Sequence, residues 1–462
     1  MNKNLILAGF ATLIASNASA ITLKEGLDIV FKENPSLQSV KNELKVKEQE
    51  KKQAVSGFMP DVDAKYSLED QNINLEGSPS GDASPSTGSV TLTQPLFTGG
   101  ATLAGYKAAK YSEKAAENDY LLQQQNVFQN AASSYLTVMT AQEVLEFNKR
   151  QVATNTEEMK RIRQRFELGD ITLPNLKEFE ARLSGYVAEK EAAYGDLLAA
   201  KSSFINVFGR SADELAWPKL DPQLPMSLEE SLELSKVNNP DLIQQRILLK
   251  ASAENINVSR AGFLPTVSAV AGWSNNSNAF NSTDTNVTSI GVQASLPLFR
   301  GGETTAKYKQ SKFEKIQAED ALKQKMRDIE AQASNAYNDL QVQNQRVKAL
   351  KVRLESFRIT TDAVEQQEAA GEASIIDVLD ARDDEFSAKV DLQVAKQALV
   401  LAKLELLASV GKFTYNDLDG IFYAAELQET EITSPELEIV NPVSEPTKQD
   451  SEQEEAFDIY QY

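Results

Sequence analysis

The stretch GEASIIDVLDARDDE, Gly371 to Glu385, holds six carboxylates and one arginine. Asp377, Asp380 and Asp384 stand at i, i+3 and i+7, which puts them on one face of a helix. Two chemistries suit such a row: hydrolysis by an acid–base pair, or an acidic wall that attracts cations. The chain has no cysteine and no histidine, which removes thiol, imidazole and the usual zinc chemistry. Neither a metal motif nor a nucleophile–base pair accompanies the row, so hydrolysis has little support. Asp377 also completes a Ser374-x-x-Asp377 capping pattern, a structural use for one of the three. Asp383 and Glu385 read as ordinary surface charges, and Arg382 as a local neutraliser.

Composition narrows the setting. The 462 residues carry a formal net charge of −20, which argues against affinity for nucleic acid or an anionic lipid surface. Residues 1–20 read as a secretory signal: Lys3, an apolar run from Leu5 to Ala15, and Ala18-Ser19-Ala20 as the cleavage site. The mature chain is expected to begin near Ile21, without a lipid-modified cysteine. No other run is long enough for a spanning helix, so any membrane insertion must use strands.

The chain is written twice. NPSLQ at Asn34 returns as NPDLIQ at Asn239, and GFMP ending at Pro60 as GFLP ending at Pro265, both 205 residues on. QPLFTGG from Gln94 returns as LPLFRGG from Leu296, FELGDIT around Gly169 answers EAAGEAS around Gly371, and VFG at Gly209 answers SVG at Gly411, all 202 on. The change of offset falls between Pro60 and Pro95, which marks a tolerant surface loop there. Repeat 1 spans 21–209 and repeat 2 spans 227–411. A linker at 210–226 joins them, and an equatorial segment at 412–425 leads to an acidic, proline-broken tail at 426–462.

Each repeat has one order of elements. An amphipathic helix (22–56; 227–261) comes first, then two strands forming a hairpin (about 59–98; about 264–300). A very long helix follows (101–168; 303–370), then one glycine and a further helix (173–207; 375–410). In repeat 2, Leu322, Met326, Ile329, Ala333, Ala336, Leu340, Gln343, Val347, Leu350, Leu354 and Phe357 alternate in steps of four and three, a coiled-coil stripe broken only by Gln343. A helix of nearly seventy residues reaches about 100 Å, which by itself suits a secreted coiled-coil structural or adhesive protein.

The strands point elsewhere. Val62, Ala64, Tyr66 and Leu68 alternate with polar residues, as do Val267, Ala269, Ala271 and Trp273, with Val270 the exception. The partner strands show Val90 and Leu92, then Ile290, Val292 and Ala294. One apolar face and a length of about nine to eleven residues fit strands that cross an outer membrane. Four strands cannot close a barrel. Two chains would give eight strands with a filled interior, and three chains twelve with a pore. Pro95 and Pro297 fall where a ladder should end, and Gly99-Gly100 and Gly301-Gly302 permit the strand-to-helix reversal. Gly169 and Gly371 turn one helix back on the next.

Helix, GFxP, hairpin, PLFxGG, long helix, Gly, DVLDA and a helix ending in Gly together resemble the TolC-like outer-membrane efflux and secretion channels, over 21 to 411. The resemblance implies an α+β homotrimer, with a twelve-stranded barrel in outer-membrane lipid above a periplasmic tunnel of antiparallel helices. It implies a passive conduit that docks a periplasmic adaptor and an inner-membrane pump, ABC-type or proton-driven. No cofactor, metal or enzymatic activity is implied. Carried over residue by residue, Asp377 and Asp380 are rings that constrict the tunnel entrance near the tip turns Gly169 and Gly371, and Asn175 and Glu178 are their repeat-1 counterparts. Placing Asp384 in the same acidic wall is an extension from helical spacing. Where the family ties its closed entrance with tyrosine and arginine, this chain has Glu368 and Ala373, which leaves Arg161, Arg163 and Arg165 as candidate partners for Glu368 or Asp377.

Overall fold

The computed structural model describes residues 21–74, 81–212, 214–279 and 283–422; the expected signal segment 1–20 and the acidic tail 426–462 lie outside them. Repeat 1 folds as α1 (Leu23–Glu33), α2 (Pro35–Ser56), β1 (Asp61–Leu68), β2 (Gln71–Ile73), β3 (Gly81–Ala83), β4 (Ser86–Phe97), α3 (Ala101–Leu168) and α4 (Leu173–Phe208). Repeat 2 folds as α5 (Leu228–Asn238), α6 (Pro240–Ala261), β5 (Thr266–Ser277), β6 (Thr285–Ser295), α7 (Glu303–Ala369) and α8 (Ile375–Ser409). A 3-10 turn at Tyr415–Asp417 and the short α9 (Leu418–Ile421) close the described chain.

Three features depart from the sequence reading. The opening helix of each repeat is two helices, because Asn-Pro interrupts it. Asn34 and Asn239 leave helical geometry and cap the next helix, accepting from Ser36 and Leu37, and from Asp241 and Leu242. Proline at the first helical position needs no N–H partner. The same asparagines reach sideways, donating to the Val207 and Ser409 carbonyls at the ends of α4 and α8 (3.1 and 3.0 Å). Six strands are described rather than four, since the first hairpin's polar end adds the small β2–β3 ribbon. Pro95 does not end its ladder. It sits inside β4 at a bulge that sets Phe97 opposite Val267. The ladder to β1 has already ended at Thr93, so the missing N–H leaves no β1 partner unpaired. Pro297 lies just past the end of β6.

The large sheet is antiparallel in the order β1-β4-β5-β6, so β4–β5 pairing joins the two repeats. Its register places Val62, Val90, Leu92, Ala271, Ile290 and Val292 on one face. The other face carries Asp61, Asp63, Lys65, Thr91, Ser268 and Gln293. The apolar face is open: Tyr66 is 74% exposed and Ile290 89%. Among the described residues, β1 and β6 each have one unpaired edge.

Below the sheet, α3 packs against α4, α6 and α8, and α7 against α6 and α8. The coiled-coil stripe of α7 faces inward, with Ile329, Ala333, Ala336, Leu340 and Val347 buried. Among the described residues, the eight glycines with left-handed backbone form four pairs 202 apart: 99 and 301, 100 and 302, 169 and 371, 209 and 411. The main core lies at the level of α1, where Phe128, Tyr135, Phe204 and Phe208 meet Leu404, Leu407 and Phe413. The buried Tyr135 hydroxyl lies 2.7 and 2.6 Å from the Ile21 and Ala216 carbonyls and accepts the Ala216 N–H, pinning the linker to the start of repeat 1. Burial pushes this phenol up to about 12. A smaller core at the far helical end joins Met159, Ile162, Leu176 and Phe179 of repeat 1 to Ile375, Val378 and Leu379 of repeat 2.

The paired glycines are not equally replaceable. A Cβ at Gly209 meets nothing, whereas one at Gly411 collides with the Asn238 backbone. Gly209→Ala should therefore cost only the left-handed penalty of about 1 kcal/mol, and Gly411→Ala distinctly more. Thermal unfolding of the two variants in detergent should show that order.

Candidate functional site

Residues 369–375 turn α7 into α8. The Gly371 and Glu372 N–H groups close the end of α7 on the Glu368 and Gln367 carbonyls, at 2.9 and 2.8 Å. Ser374 then starts α8 in extended geometry. Its hydroxyl accepts the Asp377 N–H at 3.2 Å, and Asp377 Oδ2 accepts both the Ser374 N–H and its hydroxyl at 2.8 Å. The Asp377 carboxylate is thus the reciprocal half of a capping box. Thr172 starts α4 in the same geometry and accepts from the Asn175 N–H. The bond from the Ser374 backbone, with a second from its hydroxyl, holds the Asp377 carboxyl below the usual carboxylate range.

One turn on, the three acids part company. Asp377, Asp380 and Asp384 are all exposed on one face of α8. Asp380 Oδ1 is held at 2.6 Å by Arg182 Nη1, from α4 of the other repeat. The same guanidinium reaches Asp383 at 3.3 Å and Glu178 at 3.1 Å. Among the described residues, Asp384 makes neither an ion pair nor a side-chain hydrogen bond.

Asp383 is not an ordinary surface charge, contrary to the expectation from sequence. Besides Arg182 it accepts from the Tyr186 hydroxyl at 2.6 Å and from Gln151 Nε2 at 3.3 Å, so α3 and α4 both grip α8 through one carboxylate. Burial raises the Tyr186 phenol well above its usual range, and the bond to Asp383 raises it further. Burial would lower Arg182, but its bonds to Asp380 and Glu178 outweigh that and keep it charged. Gln151, Tyr186 and Asp383 also line an open groove of about 440 Å³, together with Phe386 and Val390 of α8.

Two more ion pairs brace the tip. Arg165 on α3 meets Glu368 on α7 at 2.6 Å, one of the pairings the departures near Gly371 left open. Arg161 and Arg163 instead bond Glu158 and Glu180 of their own repeat. Arg382 does more than neutralise its neighbours: its Nε donates to Glu365 on α7 at 2.7 Å. Arg182 and Tyr186 drew no notice in the sequence. Their signal was faint: Glu178 and Arg182 are spaced i, i+4, while the contacts to α8 cross 198 and 201 residues.

The sequence matches the family described as outer membrane efflux protein over residues 27–210 and 232–412. It is 25% identical over 419 residues to the outer membrane efflux protein BepC of Brucella suis, covering 89% of this chain and 90% of that one. To the outer membrane protein TolC of Salmonella enteritidis it is 24% identical over 450 residues, covering 94% and 89%. The fold superposes on the Campylobacter jejuni CmeC outer membrane channel with a TM-score of 0.76 at 16% identity, covering 90% and 94%.

The linkage of Asp377 has a definite sign. A carboxyl lowered by folding adds stability above its unfolded value of about 4, and that stability is lost as pH falls through its lower folded value. Ser374→Ala should therefore reduce amide protection in the first turn of α8 at neutral pH. Wild type should lose the same protection only in acid. Hydrogen exchange corrected for intrinsic rates measures both.

Proposed function

We infer that this chain, which belongs to the outer membrane efflux protein family, is the exit duct of a multi-component export system and works as a homotrimer. The observation that carries the reading is the sheet. Four strands share one exposed apolar face, and the two outer strands have unpaired edges. An apolar face of that extent suits lipid, and edges in lipid must be paired. A secreted coiled-coil stalk would need neither. Among the described residues no helix is long and apolar enough to cross a membrane.

Internal repetition indicates how copies join. β4 of repeat 1 pairs with β5 of repeat 2, with Val90 opposite Trp273 and Leu92 opposite Ala271. The same step taken once more pairs β6 with β1 of the next copy, setting Val292 opposite Leu68 and Ala294 opposite Tyr66. All four lie on the apolar face, so the register keeps that face continuous. Three copies give twelve strands, wide enough for a lumen. By the same step, the packing of α3 on α6 and α8 becomes packing of α7 on α2 and α4 of the neighbour. Val187, Tyr194, Leu198 and Ile205 support this, forming an exposed heptad stripe on α4.

In the assembled trimer the helices form a periplasmic tunnel, and the tips around Gly169 and Gly371 meet the adaptor of an inner-membrane pump. Asp377, Asp380 and Asp384, with Asn175 and Glu178 behind them, ring its entrance. The duct is passive, and the pump supplies the work, whether for efflux or type I secretion.

The chain has no cysteine, so introduced pairs report cleanly. Oxidised Tyr66→Cys/Ala294→Cys should migrate as a covalent trimer, because directly opposed strand residues fall within disulfide reach. Leu92→Cys/Ala271→Cys should close only within one chain. A monomeric first pair beside an oxidised second would end the proposed joint. Purified wild type should also open channels in planar bilayers, and protein that stays soluble without detergent would count against the duct.

A further inference from the structure

The net charge of −20 is an average, and the helical turns directly beneath the sheet depart from it. From Ala101 to Lys114, α3 carries Lys107, Lys110 and Lys114 against Glu113 alone. From Glu303 to Lys315, α7 carries Lys307, Lys309, Lys312 and Lys315 against Glu303 and Glu314. Lys307 and Lys315 are paired with Glu303 and Glu319 of their own helix. Among the described residues, Lys107, Lys110, Lys309 and Lys312 have no carboxylate partner, and all four are exposed. They are two copies of one pair, since the offset of 202 carries Lys107 onto Lys309 and Lys110 onto Lys312. Aromatic rings accompany them in both repeats: Tyr106 answers Tyr308 at 202, and Phe58 answers Phe263 at 205. In repeat 2 the Phe263 ring meets Tyr308 edge-on at 5.9 Å, and the Lys312 ammonium lies 4.5 Å from the Tyr308 ring centroid. Phe58 and Phe263 are nonetheless 44% and 45% exposed.

Phenylalanine, tyrosine and lysine in that order suit a boundary between hydrocarbon and water. The order runs away from the sheet. Phe58 and Phe263 precede β1 and β5 by a few residues, while Lys107 and Lys110 follow the α3 start at Ala101 by six and nine residues, as Lys309 and Lys312 follow Glu303. At 1.5 Å per residue the lysine backbones stand about 9 and about 14 Å along each helix. Helical side chains lean toward the helix N-terminus, here toward the sheet, so the flexible stems carry the ammonium groups back to the headgroup layer. The two faces of these turns differ. The lysine face adds the exposed Leu103 and Ile316. The opposite face, by helical spacing, holds Ala101, Gly105 and Ala108 of α3 and Glu303, Lys307 and Gln310 of α7, with no large apolar side chain. A membrane therefore matches the first face and an aqueous lumen the second. We propose, on the premise that the sheet crosses the outer membrane, that Lys107 and Lys110 of α3 and Lys309 and Lys312 of α7 bind anionic phospholipid headgroups of the periplasmic leaflet. Unpaired ammonium groups at that depth gain a negative partner that the chain itself does not supply.

The test equilibrates the detergent-purified full chain with equal amounts of phosphatidylglycerol and phosphatidylcholine, isolates the protein, and measures both lipids retained. Wild type should hold phosphatidylglycerol severalfold over phosphatidylcholine, and molar salt should shrink that preference. Replacing Lys107, Lys110, Lys309 and Lys312 together by Gln should bring retention near parity. Glutamine keeps the helix propensity of lysine, and the same four positions changed to Arg should keep the preference, which separates charge from folding. Lys348→Gln/Lys351→Gln, exposed far along α7 from the sheet, should leave the preference unchanged. The assignment is overturned if wild type retains the two lipids equally, if the preference survives the four glutamines, or if the Lys348/Lys351 variant loses it as fully. Each of those results leaves the duct standing. Wild type that stays soluble without detergent and retains neither lipid would remove the duct and this assignment together.

Discussion

Among the described residues, no strand pairs with the outer edges of β1 and β6, which leaves their backbone N–H and C=O groups open. The apolar face they border carries Tyr66, Leu68, Ile290 and Val292 into the surroundings. In water such edges could hydrate, but in lipid each unpaired group costs several kcal/mol. Most of the remaining architecture follows from that constraint. In the proposed homotrimer the sheet is closed by copies of itself, and closure makes the helices that hang from each hairpin neighbours around a common axis. Long proline-free helices with a heptad stripe are the elements able to pack in that arrangement over about 100 Å.

Duplication supplies two of every joint. Asn34 and Asn239 cap one helix while bonding the end of another. Among the described residues, the eight left-handed glycines mark three turns used twice. Because the repeats share geometry, a contact between repeats in one chain is the template for the proposed contact between chains. Where the repeats differ chemically, the two kinds of joint cease to be equivalent. At the tip, Arg182 and Asp384 occupy matching positions of the two repeats with opposite charge. Burial differs as well: Gly411 is pressed against Asn238, while its partner Gly209 faces open space.

The tip illustrates how one side chain can serve position rather than chemistry. Asp383 is gripped by Arg182, Tyr186 and Gln151, and its place is fixed by two helices of the other repeat. Arg165–Glu368 adds a second tie between repeats, and Arg382–Glu365 fastens α8 back onto α7. Exposed ion pairs contribute little singly. Here several converge above a small shared core of Ile162, Phe179 and Leu379, so their geometry is held by packing rather than by charge.

Repetition, heptads, period-two alternation and turn glycines are local or periodic signals, and they were enough to order the elements of both repeats and bound the long helices within a residue or two. The heptad stripe at 322–357 is the buried face of α7 because helical periodicity depends only on chain geometry. Asn-Pro was visible as a repeat marker yet read through as helix, since its capping role shows only once the chain bends there. The bulge at Pro95 also escaped, because strand register is set by the partner strand. Asp377 carried both of its readings in sequence, as cap and as wall. Arg182, Tyr186 and the separate fates of Asp380, Asp383 and Asp384 did not appear there. Those contacts span about two hundred residues and exist only after two hairpins from different repeats have packed side by side. The sequence by itself determined which faces are apolar and where the chain turns, since both are properties of neighbours along the chain. Tertiary structure decided which carboxylates are compensated, because charge pairing depends on distance in space.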